Sequence, residues 1–244
     1  MGKQAARSLS ENGKRFNKML EYFMYRQDVN QVFETLLDMF ICAFSFEPEY
    51  TKNRDDSVKR FSDQEKKLLN EIFYEILRMQ KEAIVDQGKP WNDIFGEMYE
   101  FITGNGKKSG LGQFFTPGHI CDMMVKMITD KENSGKNILE PCCGSGRFIL
   151  ASHAHNPMNF HYACDLDLIC CKMTVVNMII HGCKGEVVWK DALDPTSFRH
   201  GWLINMRGIG VNKLDRKDSF IAKNDKDFFF KNRNQKGQPN VLNF

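Results

Sequence analysis

Apolar residues recur at helical spacing ahead of residue 103. Phe16, Leu20, Phe23 and Met24 form one stripe, and Val32, Phe33, Leu36, Leu37, Phe40 and Ile41 a second. This i, i+3, i+4 recurrence is that of helices burying one face. Pro48 and the charged stretch 51–60 interrupt the pattern. The segment Ser62-Asp-Gln-Glu65 then has capping-box spacing, in which each of the two outer side chains satisfies a free amide of the first turn. Leu69, Ile72, Phe73, Ile76, Leu77, Ala83 and Ile84 give the helix that follows its apolar face. Pro90 closes it, and residues 91–102 predict one more short helix. Residues 1–103 therefore read as a helical N-terminal domain of packing residues, with no candidate chemistry.

The texture changes at Gly104. Glycines and lysines crowd the stretch GNGKKSGLG, which reads as a mobile linker. A phosphate-binding loop needs G-x-x-x-x-G-K-S/T after a strand. Here Lys108 has no glycine before it and no strand comes first. Beyond Phe114 the pattern alternates. Pro117 opens a helix with Ile120, Met123, Met124, Met127 and Ile128 on one face. Short strands are expected at 137–139, 160–164 and 186–189, with helices through Phe148–Leu150 and over 168–180, the second closed by Gly182. Strands alternating with helices predict right-handed crossovers and a parallel sheet. Residues 104–211 form this second domain, and 212–244 a tail.

Composition adds limits. The chain has 244 residues, 42% hydrophobic and 27% charged, with a net charge of +3. No run approaches the ~18 apolar residues needed to span a bilayer, and the N-terminus has no apolar signal core, so a cytoplasmic address is the default expectation. From Asn212 onward eight Lys/Arg stand against four Asp, with Phe228, Phe229 and Phe230 among them. Such a segment suits either a solvated tail or contacts to nucleic-acid phosphates and bases. The eight cysteines include the adjacent pairs Cys142–Cys143 and Cys170–Cys171 but no C-x-x-C. Cys164, His181 and Cys183 find no second pair at zinc-like spacing. Reduced thiols and no metal are expected.

The chemistry-bearing residues sit at the ends of the predicted strands, where sheets of this kind bind ligands. Gly144 and Gly146 follow the first strand, Asp165 the second and Asp191 the third. A dinucleotide fingerprint fails, because Ile149 stands where its third small residue belongs. S-adenosylmethionine has no phosphate. It asks for a side-chain-free backbone, which the glycines supply, a carboxylate for the ribose hydroxyls and an acceptor for the adenine amine.

The motifs then become specific. GQFFTP (Gly112–Pro117) resembles the G-Q-F/Y-F/Y-T-P element of the adenine-N6 DNA methylases, notably the methylase subunits of type I restriction–modification systems. EPCCGSGRFIL (Glu140–Leu150) resembles their D/E-P-x-C-G-S-G-x-F-L signature. ACDLD (Ala163–Asp167) with NMIIHG (Asn177–Gly182) is similar to G-x-E-x-D followed by N-x-x-x-H-G, and KDAL (Lys190–Leu193) to G-D-A/S/T-L. The resemblance implies part of a class I S-adenosylmethionine-dependent methyltransferase, an α/β fold with a Rossmann-like parallel sheet. It implies S-adenosylmethionine as cofactor, DNA as substrate and a separate DNA-specificity subunit as partner. Carried over, Phe115 and Thr116 would contact the methionine end, and Glu140, Cys143, Gly144 and Gly146 would line methionine and ribose. Asp165 would hold the ribose and Asp191 the adenine. Core packing also accounts for Phe114 and Phe115, and a helix N-cap with proline at the first helical position for Thr116-Pro117.

The family's catalytic tetrapeptide, Asn/Asp-Pro-Pro-Phe/Tyr, does not occur in this sequence. That element accepts the amine's hydrogens and stacks on the flipped base. Asp194-Pro-Thr-Ser197 follows no strand. Asn205, after an apolar run, is the one candidate, with Met206 and Arg207 where prolines belong. Three readings follow: an adenine methyltransferase using Asn205 or a partner chain, a binding relative that transfers nothing, or a methyltransferase for RNA or protein.

Overall fold

The computed structural model describes residues 11–105, 115–128, 135–206 and 208–223. Helices α1 (Glu11–Met24) and α2 (Val29–Ala43) bury the expected stripes, with Asp28 capping α2 by accepting from the Asn30 amide. The charged stretch expected to interrupt the pattern is instead α3 (Pro48–Val58). Pro48 fits the first turn because its missing N–H has no partner there anyway. Only Tyr50 is buried, so α3 shows no apolar stripe to read. Helix α4 (Asp63–Lys81) opens on the capping box: the Ser62 hydroxyl accepts from the Glu65 amide and the Glu65 carboxylate from the Ser62 amide. A π-helical turn (Glu82–Asp86) ends it, and α5 (Ile94–Asn105) follows.

Helix α6 (Gly118–Ile128) precedes the sheet. Cys121 and Val125 bury its inner face against Ala151 and Phe148, while Met123, Met124, Met127 and Ile128 are exposed, contrary to the expected apolar face. The remaining elements are β1 (Asn137–Glu140), α7 (Arg147–His155), β2 (Phe160–Asp165), α8 (Leu168–His181), β3 (Lys184–Trp189), β4 (His200–Ile204) and β5 (Val211–Lys213), with strand order β1-β2-β3-β4-β5.

The sheet is mixed, which corrects the expectation of a parallel one. β1, β2 and β3 run parallel through the helical crossovers α7 and α8, but β4 is antiparallel to β3 and β5 to β4. Residues 190–199 alone join β3 to β4, and a parallel return needs a dozen or more residues. β5 crosses the expected boundary at 211/212.

Helix α8 lies between the sheet and the N-terminal helices, touching α2, α5, β2, β3 and β4. Its buried residues include Cys171, Met173, Val175, Val176, Met178 and Ile179, and one apolar core runs from Phe16 to Val211. The opposite face of the sheet carries Cys164, Val188, Leu214 and Ile221. Buried Glu186 on β3 ties down the chain after β5 by accepting from the Ser219 hydroxyl and the Phe220 and Ile221 amides. Among the described residues no helix is long and apolar enough to cross a membrane. Gly104 and Asn105, the start of the expected linker, belong to α5 instead, while its remainder at 106–114, Arg207 and the tail from residue 224, including Phe228–Phe230, lie outside the described residues.

Candidate cofactor site

At the end of β1 the chain turns through a glycine loop into α7. Gly144 has φ +54° and Gly146 φ +91°, backbone conformations that L side chains rarely adopt. A Cβ on Gly144 would lie 2.9 Å from the Phe115 ring, and one on Gly146 3.1 Å from the Thr174 hydroxyl. Each glycine is therefore demanded by backbone angle and by a close neighbour. The Gly146 neighbour is α8.

A cavity of ≈ 370 Å³ opens beside this loop. Phe115, Thr116, Glu140, Cys143, Gly144 and Asp165, six of the eight cofactor residues expected from the sequence, line it together with Met124, Cys142 and Arg147. Two larger cavities, of ≈ 580 and ≈ 470 Å³, lie among α1, α4 and α5 and between α2–α3 and β3–β4, and neither contains the loop or a strand-end acid from the motifs. Gly146 does not line the smaller cavity, since it faces Thr174. Asp191 does not line it either: its carboxylate accepts from the Leu193 amide at 2.9 Å in a tight turn.

Asp165 holds the loop directly. One carboxylate oxygen accepts from the Gly144 amide and the other from the Asp167 amide, both at 2.9 Å. Glu140 accepts from the Cys142 amide at 3.1 Å. Burial, and then the charge of Asp165, push the Glu140 pKa up, while the Cys142 amide pulls the other way. Burial also raises the Cys142 thiol, aided by the charges of Asp165, Glu140 and Asp191. Burial raises buried Cys143 and Cys170 as well. The raised values favour the protonated thiols. Among the described residues no cluster of His, Cys, Asp or Glu could hold a metal.

The structure adds residues the sequence reading passed over. Thr174 donates to the Gly144 carbonyl at 3.0 Å. Asn177 of NMIIHG donates to the Ser145 carbonyl and to Asp93, both at 2.8 Å. His181 of the same segment lies 2.8 Å from the Asn177 carbonyl through Nδ1, while its Nε2 accepts from the Asn92 amide at 3.2 Å. That motif therefore joins α8 to the start of α5. Its spacing was legible, but its partners were not.

Asn205 is not part of this site. β4 runs antiparallel, so its C-terminal end, Ile204, pairs with Gly185 at the start of β3. The glycine loop and Asp165 lie at the other end of the strands. The Asn205 side chain is 5% exposed and fully used: it donates to the Met178 and Cys183 carbonyls at 3.0 and 2.9 Å and accepts from the Gly210 amide at 2.9 Å. Its φ of +55° is one that asparagine tolerates better than most residues. It is a turn residue of the β4–β5 hairpin, and the side chain expected to serve as the catalytic amide is hydrogen-bonded within that turn.

Three parallel strands, a glycine loop after the first and an acid after the second define an α/β protein with a cavity beside the strand ends. Residues 91–224 match the model of the N-6 DNA methylase family, more than half of the chain, and the chain belongs to that family. It is 29% identical over 119 residues to the methylase subunit of the type I restriction enzyme MjaIX of Methanocaldococcus jannaschii, covering 43% of this chain and 20% of that protein. To the EcoEI methylase subunit of Escherichia coli it is 34% identical over 68 residues, 28% of this chain and 14% of the other. To the type II methyltransferase M.HincII of Haemophilus influenzae it is 49% identical over 43 residues, 18% and 8%. The matched segments thus span a fifth or less of these relatives. A solved modification subunit from Vibrio vulnificus YJ016 overlaps 59% of this chain and 28% of its own at 16% identity and a TM-score of 0.31.

Proposed function

We propose that this chain is an S-adenosylmethionine-binding unit of a DNA adenine-N6 methyltransferase from a restriction–modification system, acting with a separate specificity subunit. The observation that carries the reading is the clustering of Phe115, Thr116, Glu140, Cys143, Gly144 and Asp165 around one cavity. The residues suit the cofactor. Glu140 and Asp165 offer carboxylates to a ligand bearing an ammonium and a sulfonium, and Gly144 leaves the loop backbone without a Cβ. Phe115 walls the side toward α5, its ring 5.8 Å from that of Tyr99. When bound, the cofactor supplies an electrophilic methyl group. The chain's own part is to hold it, through Asp165 on the ribose hydroxyls and Glu140 near the methionine end, and to shield it from water. Asp191 is assigned to the adenine, which requires its turn to reach the cavity.

A second reading concerns transfer. With Asn205 committed to a turn, the amide expected to accept the hydrogens of an adenine amine is engaged elsewhere. This favours a chain that binds cofactor and needs a further segment or partner for transfer to DNA. Calorimetry with S-adenosylmethionine tests the first reading: absence of binding by the folded chain would refute it. Radiolabelled methyl transfer to mixed-sequence duplex DNA tests the second. Robust turnover by the chain alone would overturn it.

A further inference from the structure

We propose that Asp93, at the start of α5, is the positioning residue of the glycine loop, so that the N-terminal helices set the affinity of the cavity for its ligand. The inference rests on the reading of that cavity as the cofactor site.

Asp93 is 3% exposed, and a carboxylate so buried must be fully hydrogen-bonded. Its Oδ1 accepts from the Gly96 amide and the Asn177 side chain, both at 2.8 Å. Its Oδ2 accepts from the Ser145 hydroxyl and from Arg147 Nε, both at 2.6 Å. All four acceptor sites of the group are thereby occupied. Arg147 alone would neutralise the charge, and it is shared with Glu100. The other side-chain partners do something different. Ser145 belongs to the loop itself, and Asn177 spends its second hydrogen on the Ser145 carbonyl. Asp93 therefore fixes the Ser145 side chain directly and its peptide through Asn177. Gly144, next to it, lines the cavity. Asp165 and Thr174 hold the loop from the sheet and from α8, and Asp93 is the tether from the N-terminal helices.

Gly96 gives independent support. A Cβ there would lie 2.0 Å from Asp93 Oδ2 and 2.6 Å from the Ser145 hydroxyl. A glycine inside a helix is disfavoured against alanine. Here it leaves room for the carboxylate to reach the loop.

Asp93→Asn, Ser145→Ala and the double variant of the full chain would be compared by two measurements. The first is amide hydrogen exchange without ligand, and the second is titration with S-adenosylmethionine. In Asp93→Asn the amides of residues 142–147 should exchange faster while β2 and β3 keep their protection, and affinity should fall ~10-fold or more. Ser145→Ala should show part of both effects, and the double variant should be no weaker than Asp93→Asn, because the two act along one contact. Parent-like exchange and affinity in Asp93→Asn would overturn the proposal. So would exchange accelerated evenly through β2 and β3, the mark of a residue that only supports the fold. Should Asp93→Asn fail to fold, Ser145→Ala decides: unchanged loop exchange overturns the proposal. If the parent binds no S-adenosylmethionine, the reading of the cavity fails, and loop exchange in the variants still confirms or refutes the positioning.

Discussion

Replacing Asp165 with alanine removes the acceptor that pins two backbone amides at the end of β2. The amides of Gly144 and Asp167 each donate to it at 2.9 Å. Hydrogen bonds to a charged group contribute ~1.5–3 kcal/mol each. Water reaches this partly exposed side chain, so part of that loss is recovered, and a net cost to folding of ~2–3 kcal/mol is expected. For a chain of this size each kcal/mol lowers the melting temperature by ~2–4 °C, placing the shift near ~5–10 °C. The cofactor would lose its ribose carboxylate as well, a further ~1.5–3 kcal/mol, or ~10–150-fold in affinity. Asp165→Asn is the sharper control. It keeps the shape but has one oxygen, so its amide N–H₂ confronts the Gly144 or the Asp167 N–H. It should fall in the same direction. Thermal unfolding and calorimetric titration at a temperature well below melting measure the two losses separately. If Asp165→Ala melts like the parent and binds S-adenosylmethionine within about twofold, the loop is not held as argued.

Three further outcomes are expected. The pKa of Glu140 is raised, so its favourable contribution to stability is complete below the ordinary 4.5 and is lost as pH rises through the raised value, whereas a cationic ligand favours the ionised form. Parent affinity for S-adenosylmethionine should therefore climb across that window, and Glu140→Gln should flatten the climb; equal slopes would refute the assignment. Asn205→Ala places alanine at positive φ and strips the side-chain hydrogen bonds of the turn, a loss of ~3 kcal/mol in denaturant melts with affinity for S-adenosylmethionine unchanged; loss of binding by the folded variant would return Asn205 to the site. Truncation after Lys223 leaves the Glu186 anchor intact and should reduce the salt slope of DNA binding if the basic tail meets phosphates; an identical slope would show the tail to be a bystander.

Local regularity was legible in the sequence because it is encoded locally. The stripes of α1 and α2, the capping box of α4 and the glycine closing α8 all follow from residues within a few positions of one another. The loop EPCCGSG and Asp165 were equally readable, since β1-loop-α7 and β2 repeat one strand-to-turn plan and bring their ends together in parallel. Helix α3 was missed because it buries one residue and shows no stripe. The apolar face of α6 is legible as a face, but that it is exposed is not, since methionine spacing does not say which neighbour, if any, lies opposite.

Tertiary structure decided the rest. The direction of β4 depends on the length of 190–199, and that direction carried Asn205 to the far end of the sheet, where its side chain closes a turn. Gly146 sits at φ +91° with Thr174 of α8 beside it, a constraint that only the folded chain reveals. Asp93 could not have been found from the chain alone: its partners Ser145, Arg147 and Asn177 are 52, 54 and 84 residues away. A buried carboxylate is defined by the donors that surround it, and only folding assembles them.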